Sequence, residues 1–79
     1  MRLNIKNMTL LDLKLGQSAY IKDVKSDIET LCRELQELGF TPGTEVSLVS
    51  KGLFGNPLAF KVRGTVFALR KYEADAIQI

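Results

Sequence analysis

The sequence predicts a mainly β chain with one long α-helix, folded as a small β-barrel, and three observations carry that expectation. Short runs of alternating apolar residues recur along the chain, the most regular being Leu58, Phe60 and Val62. Only one stretch, Ser26 to Gly43, combines helical periodicity with start and stop signals. Short strands of this kind hide their edges by closing on themselves, leaving the helix to cover one open end.

Taken in order, Leu3 and Ile5 alternate with polar residues, the pattern of an edge strand or ordered arm. Thr9 and Asp12 have capping-box spacing, but Gly16 follows so soon that one helical turn fits between them. A strand is expected over 17–24, with Ala19, Ile21 and Val24 inward. Its alternation is imperfect, which suggests a bulge.

The helix follows. Ser26 and Glu29 have the spacing of a capping box, and Asp27 and Glu29 suit the positive end of a helix. Ile28, Leu31, Cys32, Leu35 and Leu38 form an apolar stripe at i, i+3, i+4 and i+7 spacing. Glu29, Arg33, Glu34, Gln36 and Glu37 fall on the other side, with Glu29 and Arg33 spaced to pair. Gly39 is placed to end the helix in a left-handed conformation, and Phe40 to fold back onto Leu35. Pro42-Gly43 turns the chain.

A second strand is expected over 44–51, with Val46 and Leu48 inward. Gly52 to Pro57 is a loop by its turn chemistry, and Leu53 and Phe54 at its tip are unusual. Leu58, Phe60 and Val62 then face one way and Ala59, Lys61 and Arg63 the other. Arg63-Gly64 suits a tight hairpin turn, and 65–70 returns with Phe67 and Leu69 inward. Lys71 to Ala74 is about one helical turn, and Ile77 and Ile79 close the chain as a short strand. Five strands, a helix after the first and a one-turn link before the last fit an SH3-like barrel in size.

A length of 79 residues indicates one domain over residues 1–79. A chain this small buries only about 60% of its unfolded surface. With 46% hydrophobic and 25% charged residues it is too apolar for disorder. No apolar run reaches the roughly 20 residues of a membrane helix, so the chain is not expected to be membrane-embedded. The N-terminus lacks a signal-peptide pattern, and the single Cys allows no internal disulfide, so the expected location is cytoplasmic. Residues 51–79 hold five basic and two acidic side chains, against six and seven in residues 1–50. Lys51, Lys61, Arg63, Arg70 and Lys71 are too sparse for a nucleic-acid stripe and read better as a solvated strand face.

Chemistry is hard to find in this residue set. There is no His, which removes Ser-His-Asp and Cys-His sites and the commonest metal ligand. Cys32 reads as a buried thiol between Leu31 and Leu35. Asp23, Asp27 and Glu29 are better explained by capping and solvation than as cation ligands. The Gly52 to Gly55 stretch has no phosphate-loop spacing. No catalytic group, cofactor or metal site is expected. What remains is binding. One candidate surface is the loop Leu53, Phe54, Gly55, Asn56 and Pro57, exposed as an anchor unless Leu53 and Phe54 fold back into the barrel. The other is the polar helix side, with Arg33 and Glu37.

Three stretches carry a family resemblance. They are Leu13 to Ile21, Arg33 to Val46 with its Arg-x-Leu-x-Glu-Leu-Gly-Phe-x-Pro-Gly run, and Gly55-Asn56-Pro57 leading through Arg63-Gly64 to Ala68-Leu69-Arg70 and Glu73-Ala74. Together, over about residues 9–79, they resemble the FeoA family of small bacterial ferrous-iron transport accessory proteins. The same domain is appended to metal-dependent repressors of the diphtheria toxin repressor type, but this chain shows no upstream helix-turn-helix pattern. The resemblance implies an SH3-like barrel, no enzymatic activity, and a cytoplasmic partner role beside FeoB, the membrane ferrous-iron transporter with a GTP-binding domain. The alternative is a free-standing regulatory domain, related to the repressor C-terminal domain, that binds another protein or itself.

Overall fold

The computed structural model describes residues 8–79, so the expected arm at Leu3 and Ile5 lies outside the described residues. Thr9 starts a single 3₁₀ turn, Leu10–Asp12. Its hydroxyl accepts from the Leu11 amide at 3.2 Å, and the Asp12 carboxylate accepts from the Thr9 amide at 2.9 Å. The strands are β1 (Ser18–Tyr20), β2 (Asp23–Val24), β3 (Glu45–Lys51), β4 (Leu58–Val62), β5 (Thr65–Leu69) and β6 (Ile77–Gln78). Helix α1 spans Glu29–Leu38 between β2 and β3, and the short α2 spans Lys71–Asp75 before β6.

All strand pairs are antiparallel. One sheet has the order β1-β3-β4-β5 and the other pairs β2 with β6. The stretch expected as one strand over 17–24 is in fact shared between them. The Ile21 amide donates to the Thr44 carbonyl at 2.9 Å, while the next amide, Lys22, donates to the Gln78 carbonyl at 2.7 Å. A strand that changes sheets at a bend is how orthogonal β layers turn a corner. The imperfect alternation therefore marks a bend, and the bulge lies elsewhere: the register slips between Leu48 and Ser50 on β3, leaving Val49 unpaired.

The helix also starts later than its capping signal suggests. The Ser26 hydroxyl accepts from the Ile28 amide at 3.1 Å, a local turn that competes with the helix, and Ile28 is the residue at the helix entry, with no side-chain cap. Glu29 is the first helical residue, so the expected box with Ser26 does not form. The exit matches expectation. Gly39 is left-handed at φ 116°, its amide bonds the Gln36 carbonyl at 3.0 Å, and the Phe40 amide bonds the Leu35 carbonyl at 3.0 Å. That bond pair is the Schellman pattern.

Phe40 is fully buried and packs against Phe67, with ring centroids 5.8 Å apart and planes at 58°. Around it, Leu10, Leu35, Leu48, Phe60, Val46, Val62 and Ile77 fill the core shared by both sheets. Of the α1 stripe, only Leu31 and Leu35 are buried; Ile28 and Leu38 are 53% and 43% exposed. Cys32 is half-buried, its thiol 3.9 Å from the Ser26 carbonyl, so the expectation of a fully buried thiol is corrected.

Candidate functional site: an apolar loop tip beside a leucine-lined groove

Gly52 to Pro57 links β3 to β4 and is built from its own backbone. The Gly52 amide donates to the Pro57 carbonyl at 2.7 Å, the Gly55 amide to the Gly52 carbonyl at 2.8 Å, and the Asn56 amide to the Leu53 carbonyl at 3.2 Å. The last two bonds close two successive tight turns over Leu53–Gly55, and the Asn56–Pro57 peptide bond is cis. Within these turns Phe54 is held at φ 58° and ψ 23°, in the left-handed region that bulky residues rarely adopt. Gly55 follows at φ 75°.

The result is an outward tip. Leu53 is 81% and Phe54 89% exposed, so neither folds back to plug the barrel. The core is built from Phe40, Phe60, Leu48 and Leu58 among others, without either of them. At the foot of the tip lies a groove of about 300 Å³, lined by Leu10, Leu11, Leu13, Leu48 and Leu58, of which Leu11 is the exposed one and the others are buried beneath it. Gly55 belongs to both loop and groove, and Lys51 and Lys71 stand at its rim. A large exposed aromatic, an exposed leucine and an adjoining apolar groove can together take up an apolar partner surface, with the lysines selecting against cations.

The loop residues Leu53, Phe54, Gly55, Asn56 and Pro57 thus fall together, as their adjacency requires. Arg33 and Glu37 do not join them. Both are exposed on α1, whose C-terminal end meets Arg63, beyond the last residue of β4. The loop enters β4 at its other end, so the polar helix side is a separate surface. No local motif marks the groove residues Leu10, Leu11 and Leu13 as site residues. The available signal was leucine density at 10, 11, 13 and 15, too much for one helical turn to bury.

Two other hollows are less telling. The roomier one, about 670 Å³, runs past Cys32, Asp27, Asp75 and Tyr72. Among the described residues no group of three or more His, Cys, Asp or Glu is gathered to hold a metal ion. The other is lined by Ser18, Thr44, Ser47, Lys61 and Arg63. Arg63 is tied down there, its guanidinium donating to the Thr44 hydroxyl at 3.0 Å and the Thr41 hydroxyl at 3.3 Å. No described helix is long and apolar enough to cross a membrane.

The FeoA domain profile matches residues 8–79, nearly the whole chain. The chain belongs to the FeoA family. Among solved structures, FeoA of Stenotrophomonas maltophilia is 42% identical, with a TM-score of 0.81 over 89% of this chain and 86% of that one. It was solved with zinc and described as a prokaryotic SH3 domain protein, proposed as a ferrous-iron transport activating factor. Iron(II) transport protein A of Clostridium thermocellum is 37% identical, with a TM-score of 0.80 over 89% of this chain; that match spans 43% of its own length. A manganese-dependent transcriptional repressor shares the fold at 12% identity, with a TM-score of 0.81 over 92% of this chain and 40% of that one. A comparison with curated proteins gave no match. The FeoA relatives establish the SH3-like architecture, mostly strands with one main helix, that the sequence predicts.

Proposed function

We propose that this FeoA-family chain is an accessory protein of ferrous-iron transport that acts by binding. Its partner in this reading is the FeoB-type membrane transporter on the cytoplasmic side, and its effect is to modulate transport or GTP hydrolysis without chemistry of its own. The carrying observation is the loop tip, where Leu53 and Phe54 stand 81% and 89% exposed on a backbone that holds Phe54 in a strained conformation. Strain of this kind persists only where the surrounding structure enforces it, and it concentrates at functional positions. Burying two such side chains in a partner removes enough apolar surface to contribute about 3–6 kcal/mol before the costs of association.

The groove beneath the tip would receive an apolar side chain from the partner, with Lys51 and Lys71 favouring a carboxylate beside it. Arg33 and Glu37 offer a second, charged contact on α1. A second reading is a regulatory SH3-like domain that binds another protein or itself; a manganese-dependent repressor shares this fold. Capture from detergent-solubilised membranes on the immobilised chain separates the two. Retention of the transporter in some nucleotide state supports the first reading; failure to retain it in any nucleotide state sinks it.

A further inference from the structure

β5 ends the four-stranded sheet: β4 lies along one of its edges, and no strand lies along the other among the described residues. The turn at Arg63-Gly64 pairs Val62 with Thr65, and in a two-residue hairpin that closing pair is hydrogen-bonded. Because such pairs alternate along the ladder, Thr65, Phe67 and Leu69 direct their amide and carbonyl groups to β4. Val66 and Ala68 direct theirs outward. Both residues are exposed, Val66 at 55%.

Among the described residues, this edge lacks three of the usual protections. From Thr65 to Leu69 there is no charge and no proline, and the register with β4 runs without a shift. Natural edge strands are ordinarily blunted by one of these devices. The surroundings, in contrast, are basic. Lys61 is directly paired with Val66 and shares its sheet face, Arg70 and Lys71 lie just after the strand, and Arg63, its guanidinium held by the Thr41 and Thr44 hydroxyls, lies two residues before it. The nearest following acid, Glu73, is occupied in accepting the Arg70 amide at 2.7 Å at the start of α2.

We infer that the open edge of β5 is a strand-addition site for an extended segment of another protein, apolar beside Val66 and Ala68 and acidic at either end. The outward amides and carbonyls of Val66 and Ala68 would give affinity and register, and the flanking cations would select the carboxylates. A second copy of this chain fits the site poorly. Pairing two β5 strands antiparallel about Phe67 sets Val66 against Ala68 of the other copy, but it also brings the basic segment before each strand towards the basic segment after the other. Like charges so placed oppose pairing. The inference does not rest on the transporter reading, since it uses neither Leu53 nor Phe54.

The test is a titration of the isotopically labelled chain with the peptide acetyl-Glu-Val-Thr-Val-Glu-amide, followed by amide shifts and hydrogen exchange. The expected result is saturable shifts centred on Val66 and Ala68, with slowed exchange at both amides. The peptide with Lys in place of both Glu should bind about fivefold more weakly or worse. Ala68→Pro removes an outward amide and leaves the ladder to β4 intact, so it should lower affinity about fivefold. Lys61→Glu, at an exposed site, should weaken binding while leaving the fold unchanged, and it serves if the proline variant does not fold. Absent saturation, shifts confined to the Leu53–Phe54 tip, or full affinity in a folded Ala68→Pro or Lys61→Glu chain would overturn the inference. So would protection of Val66 and Ala68 that grows with protein concentration alone, which would assign the edge to a second copy.

Discussion

Gly52→Ala should both destabilise the protein and disarm its loop, although no side chain of the tip is touched. Gly52 has φ −75° and ψ −179°, extended values open to any residue, so its backbone angles do not demand glycine. Space does. A Cβ at this position would lie 2.8 Å from the Pro57 carbonyl oxygen and 2.9 Å from the carbonyl carbon and oxygen of Asn56. All three are backbone atoms, so no flexible side chain can move aside. Either the loop opens, and the 2.7 Å bond from the Gly52 amide to the Pro57 carbonyl lengthens or breaks, or the end of β3 shifts. The lost bond costs about 1 kcal/mol and the forced displacement about 1–3 more. The sum, about 2–4 kcal/mol, is a large share of the roughly 4–12 expected for a chain this size. Urea unfolding should show a lower midpoint at an unchanged slope, and partner affinity should fall with Leu53 and Phe54 still present. Stability within about 0.5 kcal/mol of the parent, the range of an ordinary surface change, together with unchanged affinity, would refute the packing argument.

Other substitutions probe different parts of the account. Phe54→Gly relieves a left-handed conformation worth about 1 kcal/mol and adds a comparable entropy to the unfolded chain; thermal unfolding should therefore stay close to the parent while transporter binding drops. Leu35→Ala, at a position only 1% exposed, should cost about 2–5 kcal/mol, read as a large fall in the denaturation midpoint. Arg63→Ala removes the guanidinium bonds to Thr41 and Thr44 at an exposed site. It should cost about 1 kcal/mol and speed hydrogen exchange in the Gly39–Thr44 exit of α1.

The parts of the fold legible in the sequence are those set by neighbours within a few residues. The β4–β5 hairpin, the Thr9 turn and the Gly39–Phe40 helix ending were each encoded by local spacing and formed as read. Ser26 shows how such a signal misleads. Its hydroxyl has a nearer donor in Ile28, so the capping spacing to Glu29 went unused. The 17–24 segment was unreadable as two strands because the division at Ile21 depends on Thr44 and Gln78, both distant in sequence. The same limit applied to the candidate site. Whether Leu53 and Phe54 plug the core or leave it depends on how Phe40, Phe60, Leu48 and the others build that core, which no local pattern contains. The open edge of β5 likewise follows from sheet order alone.

The most direct test of the central claim is calorimetric titration of a purified FeoB-type transporter in detergent with the intact chain and with the Leu53→Ser plus Phe54→Ser variant. The account predicts saturable binding by the intact chain and a loss of at least about 100-fold in the variant, from two side chains worth about 1.5–3 kcal/mol each when buried. Because both side chains are exposed in the free protein, the variant should keep the parent's urea midpoint. No saturable binding by the intact chain, or full affinity in the folded variant, would contradict the claim that this tip is the docking element.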